Sequence, residues 1–540
     1  MMKYNPNTSQ VIVGAAIFLV LFANFAFFRN VLETFSGLPW VYAHTLSLAI
    51  VQFCILLILL SLICFRRTIK PVLVFLFILS AFTAYFMDTY NVIIDRDMIV
   101  NALATNAAES GDLLTPRLLT YLLLLGILPS AFLVRLVIRP PTTAAALRAR
   151  AMLAGGALLV ALALILFSSG FYASFIHEHK VLRYYTNPTT PVHAAYRFAR
   201  MHSASALTAL QAIGEDARIA PADIERELVI LVVGETARAD RFALNGYTRD
   251  TNPQLAGEDV VSFRHMSACG TSTAISVPCM FAIYGRDDFS KEKADSTENL
   301  LDVLKHAGIT MLWRDNNSSS KGVADRIPTE DFRSPQTNPI CDLECRDEGM
   351  LVGLQDFIDR QTSGDILIVL HQMGSHGPAY FKRYPSEFHV FAPTCETSQL
   401  DSCGQAEIGN SYDNTILYTD HFLAKVIALL RNNDERFETA MLYASDHGES
   451  LGESGVYLHG LPYFVAPDAQ THVPAILWFG KNFDGANIPA MRQLRDIHFS
   501  HDHIFHTVLG MFEIDASIYD PEKDLLNLAA KTHGNAREYD

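Results

Sequence analysis

Charge is scarce in this sequence. Asp, Glu, Lys and Arg make up 18% of its 540 residues, against about 25% in an ordinary soluble protein. Cysteine is sparse as well: eight residues are too few to staple a small secreted fold. Thirty glycines and 23 prolines exclude a collagen-like chain. No internal repeat and no low-complexity segment is present. A basic excess is missing too, since the formal net charge is −15, which argues against a general nucleic-acid binder. What is abundant is apolar surface, at 50% of residues, and that excludes a disordered chain.

The averages hide two populations. Residues 1–180 hold 12 Lys+Arg against 7 Asp+Glu, a net of +5, so the remainder carries −20. Eighteen of the 19 histidines follow residue 170. Five apolar stretches crowd the first third, at 11–28, 42–64, 71–87, 118–138 and 152–176. Each approaches the roughly 20 residues that a helix needs to cross a bilayer. Core helices of a soluble protein are the weaker reading of five such runs in 180 residues. The first run has a thin basic flank, Lys3, and no Ala-x-Ala site, so it reads as a retained signal anchor. Lys3, Arg66, Arg67, Lys70, Arg139, Arg148 and Arg150 fall on one side of the spans, which puts the N-terminus in the cytoplasm. Five spans then place the rest in a periplasm, an oxidising compartment.

The predicted domains are a transmembrane part over 1–177, a connector over 178–222 and a catalytic part over 223–540. Residues 193–213 have helical spacing with cations beside apolar residues, which suits either a membrane-surface helix or an ordinary packing helix. Cys54 and Cys64 read as buried thiols in the second span. The other six cysteines form close pairs, 269/279, 341/345 and 395/403, with no CxxC to suggest a zinc ribbon.

Short apolar runs with β-branched residues, LVILVV (228–233), DILIVL (365–370) and TAMLYAS (439–445), read as buried parallel strands. Helical patterns separate them, which implies an α/β domain with a mostly parallel sheet. Ligands of such sheets bind beyond the carboxyl ends of the strands. Those ends carry Gly234-Glu235-Thr236, then His371-Gln372-Met373-Gly374-Ser375-His376, then Ser445-Asp446-His447-Gly448-Glu449. Carboxylates and imidazoles together suit a divalent metal such as zinc. A lone carboxylate after a strand is more often a helix cap, but three strand ends sharing one edge favour a site. The segment Cys269-Gly270-Thr271-Ser272-Thr273 offers hydroxyl nucleophiles at a helix start, where an anion is stabilised. The histidines at 498, 501, 503 and 506 read as caps and supports rather than ligands.

The stretches GETARAD (234–240), CGTSTAISVPCMF (269–281) and SDHGESLGE (445–453) resemble the lipid A phosphoethanolamine transferases, the group of the mobile colistin-resistance enzymes, in the alkaline phosphatase–sulfatase superfamily. The resemblance spans nearly the whole chain. It implies a five-helix transmembrane domain followed by an alkaline phosphatase-like periplasmic domain in a bacterial inner membrane. It assigns Glu235, Thr273, Asp446 and His447 as zinc ligands, with Thr273 also the nucleophile. Ser318, Lys321, His376 and His459 match residues around the transferred phosphate, and the two histidines match those that can hold a second zinc. Asn101, Thr105 and Glu109 match residues that engage the ethanolamine head group. Disulfides are implied for Cys269–Cys279 and Cys395–Cys403, while Cys341–Cys345 is a tighter loop than the family leads one to expect. The implied reaction moves phosphoethanolamine from phosphatidylethanolamine to a lipid A phosphate, with polymyxin resistance as its consequence. The implied partners are those two lipids and the membrane, with the enzyme a monomer. The alternative acceptor is a lipopolysaccharide core sugar or another envelope glycan. A sulfatase is disfavoured, because no C/S-x-P-x-R motif surrounds the nucleophile.

Overall fold

The structure is a computed structural model that describes residues 6–105, 107–139, 143–205, 210–221 and 223–537. The chain divides into two compact units. One comprises residues 1–99 and 114–198, the other 100–113 and 199–540. The connector is therefore shared out, and a short excursion from the helical third belongs to the second unit.

The first unit is helical. Among the described residues four helices are long and apolar enough to cross a membrane: Val41–Ile63, Ile69–Tyr90, Pro116–Arg135 and Ala144–Phe167. The first apolar run is not one rod. It forms Thr8–Phe22 and Phe25–Thr34, bent by 54°. The bend sits at Asn24, 1% exposed, whose amide donates to Leu19 O at 2.9 Å and to Asn187 O at 2.8 Å. A buried amide that takes helix carbonyls competes with the helical ladder, and the chain turns there. The fifth run begins earlier than its hydropathy indicates, because Arg148 and Arg150 lie inside the first turns of the helix. Arg150 reaches Cys64 O at 2.6 Å and stacks over Phe65, a snorkelling cation at a helix end. Cys54 and Cys64 are free and buried. A helix over Thr189–Ser205 occupies much of the 193–213 stretch, of which residues 206–209 lie outside the described residues.

The second unit is built on an eight-stranded sheet. Its strands are β1 (Glu227–Gly234), β2 (Val261–Ser267), β3 (Thr310–Asp315), β4 (Thr329–Asp331), β5 (Ile366–His371), β6 (Glu438–Ser445), β7 (His472–Phe479) and β8 (His498–Ser500). Their order across the sheet is β8-β2-β7-β6-β1-β5-β3-β4. β7 runs antiparallel to both neighbours and every other pairing is parallel. The sheet is mostly parallel, as expected, but mixed.

The central strands are apolar throughout because both faces are covered. Val229, Leu231 and Val233 of β1 join one core, with Leu367, Val369, Leu442 and Ala444. Leu228, Ile230 and Val232 join the other, with Ile366, Ile368, Met441 and Tyr443. Each such buried side chain contributes roughly 1.5–3 kcal/mol. The helix Gln405–Arg431 covers the second face through Tyr412, Ile416, Leu423, Ile427 and Leu430, a stripe at three- to four-residue spacing. Three disulfides, Cys269–Cys279, Cys341–Cys345 and Cys395–Cys403, close loops of this unit. The tight Cys341–Cys345 pair is bridged like the other two.

Candidate active site

The carboxyl ends of β1 and its neighbours β5 and β6, with β3 beyond β5, converge on one cleft. β1 delivers Glu235 and β6 delivers Asp446 and His447, all buried. Among the described residues these three form the one group whose ligand atoms could hold a metal, all within 4.8 Å of one another. Thr273 begins the helix Thr273–Met280, behind the disulfide that joins Cys269 to Cys279. Its hydroxyl donates to Glu235 Oε2 at 3.0 Å and lies 3.3 Å from His447 Nε2.

The His447 tautomer follows from its partners. Nδ1 lies 2.9 Å from Gly448 O. A carbonyl only accepts, so Nδ1 carries the hydrogen and Nε2 presents a lone pair. That lone pair faces Glu235 Oε1 at 3.5 Å and Asp446 Oδ2 at 3.4 Å. Burial pushes the imidazole down to about 3, so it is neutral. Two carboxylates and a lone pair gathered in a dry pocket repel one another, and the donor set fits a divalent cation. Burial also raises the Asp446 carboxyl, against the lowering pull of His371 and the Thr236 N–H.

The strand ends are supported from behind. Thr236 adopts φ +52°, a left-handed conformation that is costly for a β-branched residue. Its N–H donates to Asp446 Oδ1 at 3.2 Å, tying β1 to β6. Asn317, just past β3, donates to Glu235 Oε2 at 2.6 Å and to Gln372 O at 2.8 Å. Asp347 is buried and accepts from the N–H groups of Met373 and Gly374, which sets the turn after β5. His501 accepts from Cys269 N at 3.1 Å and donates to Ser445 O at 3.0 Å, joining the nucleophile loop to β6. His503 and His506 accept from the backbone N–H groups of Ser500 and Asp520, and His498 pairs with Ser267, so this histidine cluster braces loops.

Around the cluster stand the remaining expected residues. The His459 ring lies 4.4 Å from that of His447 and 5.5 Å from that of His376, centroid to centroid. His459 Nδ1 donates to Glu449 Oε2 at 2.8 Å, and Glu449 also accepts from Tyr380 OH at 2.7 Å. Desolvation holds His376 well below the ordinary imidazole range, and neighbouring His459 adds to it. Lys321 donates to Ser318 O at 3.1 Å and to the Ser318 hydroxyl. It also donates to Ala104 O at 3.2 Å, on the 100–113 excursion. Asn101 and Thr105 are joined on that excursion, Thr105 Oγ1 donating to Asn101 O at 2.9 Å. Glu109 falls in the helix Ala107–Asp112, and its side chain lies outside the described residues.

The family described as Sulfatase matches residues 227–514, and the family described as Phosphoethanolamine transferase EptA/EptB matches residues 52–202. The phosphatidylethanolamine transferase Mcr-2 of Escherichia coli is 41% identical over 95% of this chain and 96% of its own. The chain belongs to the phosphoethanolamine transferases. A second member, phosphoethanolamine transferase EptA of Escherichia coli K12, is 39% identical over 95% of both chains. The solved lipooligosaccharide phosphoethanolamine transferase A of Neisseria meningitidis superposes with a TM-score of 0.92 at 34% identity, covering 97% of this chain and 99% of that one. The transferase fold thus extends over both units, and the sheet-bearing unit is alkaline phosphatase-like.

The sequence does not single out Asn317, Thr236, Asp347 or Glu449 as site residues. Asn317 follows TMLWRD (310–315), an apolar run that marks β3, and this was the available signal for it.

Proposed function

We propose that the protein transfers phosphoethanolamine from phosphatidylethanolamine to a phosphate of lipid A through a phosphothreonine at Thr273. The convergence of Glu235, Asp446 and His447 on the Thr273 hydroxyl is the observation that carries this reading. The hydroxyl points its hydrogen at Glu235, which leaves its lone pairs for phosphorus, and the helix that begins at Thr273 favours the developing negative charge. As Thr273 Oγ attacks phosphorus its proton passes to Glu235, the bond to the diacylglycerol oxygen breaks, and that oxygen takes a proton and leaves as an alcohol; Glu235 returns the proton when Thr273 is later displaced. One of His376 or His459 carries that proton; His459, with its Nδ1 hydrogen engaged by Glu449, would use Nε2 for it unless these two histidines hold an ion instead. A lipid A phosphate oxygen then attacks the same phosphorus, and Thr273 recovers its hydroxyl. Lys321 and Ser318 hold the phosphate, and His376 lines the pocket.

Zinc is the proposed cofactor, held by Glu235, Thr273, Asp446 and His447, with a second ion on His376 and His459 as the alternative to their part in proton transfer. Such an ion supplies Lewis-acid stabilisation of phosphoryl charge. Asn101, Thr105 and Glu109 would meet the ethanolamine ammonium. The proposed setting is a bacterial inner membrane spanned five times, with the bent first pair counted as one span and residues 223–540 on the periplasmic side of a monomer. Added ethanolamine lowers the negative charge of lipid A, so polymyxins such as colistin bind it less.

Mass spectrometry of lipid A from cells expressing the wild type and Thr273→Ala tests this. The wild type should add phosphoethanolamine and the variant, at equal expression, should not. No addition by the wild type, or full addition by Thr273→Ala, refutes it. Metal analysis of the purified chain, with activity lost to a chelator and regained with zinc, tests the cofactor.

A further inference from the structure

The 100–113 excursion is pinned at both ends to the catalytic unit of which it is part. Near its start, Ala104 O accepts from Lys321 at 3.2 Å. At its end, the Asp112 carboxylate, 8% exposed, meets Lys382 at 2.5 Å and Arg383 at 3.2 Å. The Arg383 side chain is 1% exposed, and its three donor edges go to three places. One pairs with Asp112 of the excursion. A second pairs with Glu344 inside the Cys341–Cys345 loop. The third, Nε, donates to His376 O at 2.6 Å. A guanidinium buried between two carboxylates is held in one geometry by its rigid fork of donors. It is shielded from solvent.

We infer that Arg383 is a positioning residue, a latch that seats the 100–113 excursion through Asp112 while fixing the His376 backbone. This rests on the proposed transfer reaction and on the head-group role of Asn101, Thr105 and Glu109. The excursion between the two pins carries Thr105 and Glu109, so its seating sets where the donor's ammonium is met, and Arg383 acts through it. Lys382, 33% exposed, reinforces the latch but cannot replace it.

The test uses the full chain in liposomes containing phosphatidylethanolamine, with Asp112→Asn, Asp112→Glu and Lys382→Gln. Two readouts are taken: amide hydrogen exchange of residues 100–113, and kcat and KM for the phosphatidylethanolamine donor. In Asp112→Asn we expect exchange of this segment to quicken, and KM to rise, each by about ten-fold or more, with kcat kept within about two-fold. Asp112→Glu should recover most of the wild-type KM, and Lys382→Gln should move it less than Asp112→Asn does. Unchanged exchange in Asp112→Asn overturns the latch. So does quickened exchange with an unaltered KM, or a fall in kcat with KM unmoved. A wild type that releases no diacylglycerol would sink the proposed transfer reaction alone, since the exchange readout would still decide whether Asp112 holds the segment.

Discussion

Gly448 separates His447 from Glu449, and a single methyl group added there should disable the site without unfolding the protein. A Cβ at this position would stand 2.1 Å from the Ala469 carbonyl oxygen and 3.0 Å from its carbon. These are backbone atoms, so no side chain can swing aside. Ala469 cannot retreat freely either. Its neighbour Gln470 is fully buried, accepts from Gly448 N at 3.0 Å and Leu461 N at 3.1 Å, and donates to Ser450 Oγ at 2.9 Å. The strand end must therefore yield, by about 1 Å to reach an ordinary contact. Because Gly448 O accepts from His447 Nδ1 at 2.9 Å, the displacement passes directly to the imidazole. Overpacking of this kind costs about 1–3 kcal/mol of stability. A misplacement of about 1 Å at a reacting group costs about 100-fold in rate. Gly448→Ala should then melt a few degrees lower, remain folded, and lose about two orders of magnitude in release of diacylglycerol from a fluorescent phosphatidylethanolamine. If the variant kept its rate within about three-fold of wild type, the steric argument and the placement of His447 in the site would both be wrong.

Asn317→Ala removes the amide that donates to Glu235, and should cost about 10- to 100-fold in activity or zinc affinity while the melting temperature moves little; metal titration and transfer assays check this, and unchanged values would refute it. Glu227 lies 3% exposed at the opposite end of β1, with its N–H on Asp365 Oδ1 at 3.3 Å. Burial, then the charges of Asp365 and Asp223, push its carboxyl up to about 9. Its folded value is thus raised above the unfolded value of about 4.3. The stability it contributes is whole below that value and is lost as pH rises through about 9. Melting curves of wild type and Glu227→Gln, compared at about pH 6 and pH 9, should show a smaller fall for the variant; parallel falls would contradict the assignment.

Much of the catalytic unit could be read in the sequence because its determinants are local. LVILVV, DILIVL and TAMLYAS lie in or overlap β1, β5 and β6, and a strand buried on both faces has no room for polar residues. Glu235 and the Asp446-His447 pair stand out because they follow those runs at once. The antiparallel β7 escaped notice, since pairing direction is decided by where the chain returns rather than by composition. Asn317 and Glu235 are 82 residues apart, and nothing near either foretells their bond. The left-handed Thr236 runs against its own propensity, a conflict visible only when Asp446 is seen to hold its N–H. In the helical unit the five apolar runs are present, but hydropathy does not register the bend at Asn24, which depends on the distant Asn187 carbonyl.

The catalytic unit is discontinuous in the chain, drawing residues 100–113 from between two membrane helices. A soluble fragment cut after residue 199 would keep the whole sheet, Thr273 and the cluster around it. It would nonetheless be a trimmed enzyme, with Lys321 deprived of the Ala104 carbonyl and Arg383 of the Asp112 carboxylate. Inhibitors selected on such a fragment would be optimised against a unit that lacks its 100–113 segment. Evolution, for its part, cannot exchange the helical third of this chain for another anchor without also replacing a piece of the sheet-bearing unit.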